Sequence, residues 1–207
     1  MKTGIKTVAV GFLEENCYLL MDDSSGTLYV IDPGAEEDKI LKAAKSFVFS
    51  KCRIILTHGH IDHIGAVRPL MERLPVEFCF LHHDDLPLYK SPDNALPPWI
   101  PRVKNPPEPV TNLPAECPLR LIHCPGHTKG SSCFYLPRES VLFSGDSIFK
   151  NSVGRTDLPG GDHEALVRSL KEKVLSLPPD TKILPGHGPE TTVAEERANN
   201  PFFDFDL

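Results

Sequence analysis

The segment Thr57-His58-Gly59-His60-Ile61-Asp62-His63 places three imidazoles and a carboxylate within a few residues, directly after the apolar run 53–56. Imidazole nitrogen and carboxylate oxygen are the donors that hold zinc, iron or manganese. A closed structural zinc site would draw on thiolates or a Cys/His mixture, and no cysteine stands in this cluster. His58 and His60 are two apart on an extended stretch, so both can point to one side. Asp62 and His63 point elsewhere if a helix begins there. That divergence suits two neighbouring metal positions better than one tetrahedron. Three later segments offer further donors: Pro125-Gly126-His127-Thr128, Phe143-Ser144-Gly145-Asp146 and Pro185-Gly186-His187-Gly188. Each sets one His or Asp beside a glycine at the end of a strand-like run, where the loops of layered α/β folds gather their active sites.

The elements that must position these residues follow from periodicity. Short β-rich runs at 5–10, 17–21 and 27–31 are separated by Gly, Asp and Ser, and the last ends in the turn Asp32-Pro33-Gly34. Ile40, Leu41, Ala44, Phe47 and Val48 lie at helical spacing and predict an amphipathic helix over 36–49. Further strands are predicted at 53–56, 78–81, 119–123, 132–136, 140–143 and 181–184. Helices are predicted at 66–74, with Pro69 in the first turn or bending it, and at 163–175 on the face Leu166, Val167, Leu170, Val174 and Leu175. Residues 91–118 hold nine of the 21 prolines and the only tryptophan, Trp99. No regular element survives that density, so a long loop is expected there, with the character of a lid over a site. The sum is an α/β chain, with one domain spanning 1–207.

Composition narrows the function classes. A net charge of -6 and an ordinary charged fraction argue against a nucleic-acid partner. No run of 18 apolar residues occurs, so no membrane span is expected. The first eleven residues lack the apolar core of an export signal, which points to a cytoplasmic location. The six cysteines show no paired spacing and are expected as thiols.

With these motifs in view, the sequence resembles the metallo-β-lactamase-fold hydrolase superfamily. Its five motifs occur in order: Asp32, the His58/His60/Asp62/His63 cluster, His127, Asp146 and His187. Within that superfamily it is most similar to short, single-domain glyoxalase II-like proteins. The strings that carry this are His123–Thr128, Ser144–Lys150, Val153–Asp157, Gly161–His163 and Pro185–Pro189. The resemblance implies a four-layer αβ/βα sandwich and two divalent metal ions, zinc expected, with iron and manganese also compatible with the donor set. It assigns His58, His60 and His127 to one ion, Asp62, His63 and His187 to the other, and Asp146 to a bridge. Asp32 would support a ligand, Asp62 could also orient the nucleophile, and Arg155 would bind a substrate carboxylate through its planar fork.

The implied activity is hydrolysis of a small thioester of the S-lactoylglutathione type. A metal pair lowers the pKa of a shared water toward roughly 7 and stabilises the oxyanion that develops on the attacked carbonyl. A thiolate leaving group then needs little protonation. The sequence departs from full-length glyoxalase II enzymes in two places. Only 20 residues follow His187, without a counterpart of their helical C-terminal region, and Asp157 stands where they usually carry a tyrosine. The alternative within the same fold is an iron-dependent persulfide dioxygenase, which also shows a Gly-Arg-Thr-Asp string like 154–157. A non-catalytic metal-binding module is the third reading. Oligomeric state is not legible.

Overall fold

A computed structural model describes residues 4–94, 100, 103 and 105–203. The chain divides into two compact units, Met1–Asn112 and Leu113–Leu207. In the first, strands β1 (Gly4–Val10), β2 (Glu15–Asp22), β3 (Thr27–Ile31), β4 (Lys51–Ile55) and β5 (Val76–Phe80) form one sheet in that spatial order. The β1–β2 and β2–β3 pairs are antiparallel; β3–β4 and β4–β5 are parallel. The parallel steps need crossovers, and the helices α1 (Glu37–Ala44), α2 (Ile61–Ile64) and α3 (Val67–Arg73) lie within them. Ile40, Ala43, Val67 and Leu70 pack with Leu19, Leu28, Val30 and Ile54 into one core. A further short helix, α4 (Leu86–Lys90), follows β5.

The second unit repeats the plan. Its five-stranded sheet runs in the order β12 (Thr191–Thr192), β11 (Lys182–Pro185), β8 (Val141–Gly145), β7 (Ser132–Leu136), β6 (Arg120–His123). The pair β8–β11 is parallel, so both strands deliver their carboxyl ends to the same edge. A small hairpin of β9 (Ile148–Phe149) and β10 (Ser152–Val153) leaves the end of β8. Helix α5 (His163–Ser169) continues into a π-helical turn, Leu170–Val174. Leu166, Leu170 and Val174 pack with Ile122, Cys133, Leu142 and Ile183. Helix α6 (Val193–Asn199) completes the unit. Mixed sheets with helices on them are the expected fold class.

Several elements differ from the periodic reading. The helix expected over 36–49 stops at Ala44, because the Ser46 hydroxyl bonds the Ala43 carbonyl and competes with the ladder. Val48, placed on the apolar face by spacing, is 94% exposed. Pro69 does sit in the first turn of α3, where its missing N–H costs nothing. Helix α6 was not anticipated, although Thr192 and Glu195 carry a capping signal: the Thr192 hydroxyl accepts from the Glu195 amide at 3.2 Å. Within the proline-rich stretch, Val110 bridges to Phe80 beside β5, and Tyr89 Oη donates to the Pro107 carbonyl. Part of that loop is therefore fastened to the first sheet. Trp99, at the centre of the expected lid, lies outside the described residues. All six cysteines are thiols.

Candidate metal centre

In the first unit the donors collect at the carboxyl end of β4. The chain leaves the strand through Thr57, passes His58 and His60 in extended form, and turns into α2, so that His63 returns toward His58. His58 and His60 rings stand edge to face with centroids 4.8 Å apart, and the His58 and His63 centroids are 4.1 Å apart. All three rings are buried. Asp62 Oδ2 lies 3.8 Å from His63 Nε2.

Asp32 organises this group. It follows β3 with a left-handed φ of 49°, which aspartate tolerates. Its Oδ1 accepts from the Thr57 amide at 2.7 Å, and its Oδ2 accepts from the Thr57 hydroxyl at 2.6 Å and faces His63 Nδ1 at 3.0 Å. A carboxylate only accepts, so His63 Nδ1 carries the proton. The Thr57 hydroxyl, its one proton committed to Asp32, accepts from His58 Nδ1 at 3.0 Å. Both rings are thus held as the tautomer whose Nε2 lone pair is available to a cation. The Gly59 amide donates to the buried Asp85 Oδ2 at 2.9 Å, which holds the segment between His58 and His60. Gly34 lets the loop after Asp32 close on α2: a Cβ there would sit 1.6 Å from the Asp62 carbonyl oxygen.

In the second unit His127, Asp146 and His187 follow β6, β8 and β11. Gly126 has a φ of 139°, and a Cβ on it would lie 2.4 Å from the Leu166 amide nitrogen. Only glycine permits α5 to seat there and present His127. His127 Nδ1 donates to the Arg155 carbonyl at 2.8 Å, so its Nε2 is also the lone-pair atom. The ends of β8 and β11 are tied by the Gly186 amide and the Gly145 carbonyl at 2.9 Å. As a result Asp146 Oδ2 lies 3.8 Å from His127 Nε2 and 3.7 Å from His187 Nε2. These separations are too long for hydrogen bonds. They match donors about 2.1 Å from a shared cation, which stand roughly 3–4 Å apart. The donor chemistry therefore fits divalent metal in both halves, and one carboxylate oxygen faces two imidazoles as a bridging ligand would.

The remaining candidates divide. Arg155 is exposed, and its fork is filled by Asp157, with Nε to Oδ1 at 2.7 Å and a terminal nitrogen to Oδ2 at 2.8 Å. Hydrogen bonding from Arg155 holds the Asp157 carboxyl down at about 2. His163 opens α5, capped by Asp162. Thr128 closes a turn with Ser131. His83 is exposed and Asp84 half-buried, whereas His82 and Asp85 are buried, and Asp85 holds the Gly59 amide. Glu15, buried at the start of β2 with Oε1 3.8 Å from His63 Nδ1, was missed. Nothing in its local pattern distinguishes it from a surface glutamate. Burial first, then the charges of Glu15 and Asp32, push the Cys17 thiol well up.

The model of the metallo-beta-lactamase superfamily matches residues 10–187. The chain is similar to the hydroxyacylglutathione hydrolase GloC of Haemophilus influenzae, at 33% identity covering 97% of this chain and 98% of that protein. Among solved structures it is similar to TTHA1623 in a di-iron-bound form, at 44% identity and a TM-score of 0.82, covering 95% of this chain and 99% of that one. It is also similar to the B3 metallo-beta-lactamase BLEG-1, at 32% identity and a TM-score of 0.86, covering 98% and 100% respectively.

Proposed function

The chain belongs to the metallo-beta-lactamase superfamily, and from that premise we propose that it is a metal-dependent hydrolase that cleaves a small thioester of the S-lactoylglutathione class. The observation that carries the reading is Asp146 Oδ2 standing almost equidistant from His127 Nε2 and His187 Nε2. Together with the ring tautomers set through Asp32 and the Arg155 carbonyl, it supports divalent metal at these donors, and the count of two is the proposal. His58, His60 and His127 would hold one ion, Asp62, His63 and His187 the other, and Asp146 both. The family match runs through both units, which supports reading them as one functional domain. The similarity to GloC across nearly all of both chains favours the thioester.

Divalent ions at these residues would supply an activated water and a polarised carbonyl. The chain's own part is to fix the donors. Asp32 and Thr57 keep His58 and His63 in register, the Arg155 carbonyl keeps His127 in register, and Asp62, beside His63, would serve first as a ligand and second to orient the nucleophile. A thiol, with a pKa near 8.5, leaves as the thiolate without an acid to protonate it. Arg155 would reach a substrate carboxylate only by exchanging Asp157 for it. Zinc is the proposed metal, and a cytoplasmic setting suits six thiols. Among the described residues no helix is long and apolar enough to cross a membrane.

The test is to purify the protein with its native metal, count ions per chain, and assay S-lactoylglutathione cleavage beside oxygen uptake with glutathione persulfide. Two ions with thioester cleavage, both lost in Asp146→Ala, are expected. One iron per chain with oxygen uptake and no thioester turnover would establish the dioxygenase reading instead.

A further inference from the structure

His63 is surrounded by more negative charge than its orientation requires. Asp32 Oδ2, at 3.0 Å from Nδ1, already fixes the tautomer and the ring plane. Asp62 Oδ2 stands 3.8 Å from Nε2 on the opposite side. Glu15 adds another carboxylate, with Oε1 3.8 Å from Nδ1, and only 1% of its surface reaches solvent. That distance is beyond a hydrogen bond, so Glu15 acts on His63 through its charge.

Its place is built. Glu15 opens β2 opposite Val10, just after the turn that starts at Gly11. Its Oε2 would lie 3.0 Å from a Cβ at position 34, in the loop that closes on α2. The bare Gly34 backbone therefore leaves room for the carboxylate behind His63. Three carboxylates, Glu15, Asp32 and Asp62, gathered about one imidazole in a medium of low dielectric favour a cation beside them. A dication held by Asp62 and His63 would meet that charge, and negative charge behind a ligating imidazole also strengthens its donor nitrogen.

We propose that Glu15 is a positioning residue for the metal held by Asp62, His63 and His187: a buried outer carboxylate that acts through His63 and sets the affinity of that position. The proposal rests on the metal-centre reading above. Both signs of its effect can be measured. Neutralising Glu15 should relieve repulsion when the metal is absent and weaken the metal when it is present.

The experiment compares wild type, Glu15→Gln and Glu15→Asp. Metal is stripped by chelation, zinc affinity is measured by competition with a chromophoric chelator, and the visible bands of the cobalt(II)-substituted protein are recorded. In Glu15→Gln we expect one of two zinc equivalents to bind about 10–100-fold more weakly, with altered cobalt bands. Its metal-free melting temperature should equal or exceed that of wild type. Glu15→Asp, which keeps the charge, should hold that zinc more tightly than Glu15→Gln does. Unchanged zinc affinity in Glu15→Gln, a metal-free form that melts well below wild type, or equal weakening in both variants would each overturn the proposal. A wild type that retains no zinc would instead remove the metal-centre reading itself.

Discussion

At the scale of single residues, the site is decided by which nitrogen of each histidine is spoken for. Asp32, Thr57 and the Arg155 carbonyl take the Nδ1 atoms of His63, His58 and His127 and leave Nε2 to the centre. Arg155 is coupled to the site through its backbone, while its side chain is held by Asp157. We expect Asp157→Asn to free that fork and to lower KM for a carboxylate-bearing thioester several-fold, leaving kcat nearly unchanged. An unchanged KM would limit Arg155 to its carbonyl. The same variant has a pH signature. The Asp157 carboxyl ionises near 2 in the folded chain, below the usual aspartate value of about 3.9. Its contribution is therefore present above about pH 4 and is lost as the pH falls through about 2. Exposure of both partners keeps it small. Thermal melts of metal-free wild type and Asp157→Asn should differ slightly at neutral pH and converge toward pH 2; a gap that persists there would contradict the assignment.

At the scale of elements, strand ends present the ligands and tight backbone contacts aim them. The junction of Gly126 with α5 is the sharpest case, since a side chain there meets both a disfavoured φ and the Leu166 amide. Gly126→Ala should cost about 3 kcal/mol, which lowers the melting temperature by about 6–12 °C for a chain of this size. Because the same shift displaces His127, zinc content should fall with it, as elemental analysis would record. A stable Gly126→Ala protein with full metal would show that α5 can move without disturbing His127. Helix α6 fastens the hairpin between Asp146 and Arg155. The buried Glu196 accepts from the Asn151 amide at 3.0 Å and from Asn200 Nδ2 at 2.7 Å, and Asn200 also donates to the Ser152 carbonyl. Glu196 and Asn200 thus support the loop that carries two of the site's anchors.

At the scale of the whole molecule, metal bound at the proposed ligands should stabilise the fold as a ligand does. At a free concentration 100 times its dissociation constant an ion contributes about 2.7 kcal/mol. Chelation should then lower the melting temperature by about 5–10 °C for each ion removed, abolish thioester cleavage, and be reversed by added zinc. Loss of activity with no change in melting temperature would confine the metal's role to chemistry.

The amino-acid sequence alone determined the proposed ligand types, their order and the strand ends that carry them. Metal binding demands particular atoms, and glycine and proline mark the places where strands stop, so both signals are local. Helices with a strong apolar period were legible for the same reason; Val48 misled because periodicity continues past the point where Ser46 ends the ladder. Only the tertiary structure decided that Glu15 and Asp85 join Asp32 behind the histidines. In sequence they are a strand-edge and a helix-start acid, yet both are buried, Glu15 at 3.8 Å from His63 and Asp85 on the Gly59 amide. Arg155 reads as a substrate clamp until its fork is found on Asp157. Burial and long-range pairing arise from how distant strands pack, and no window of neighbouring residues contains that information.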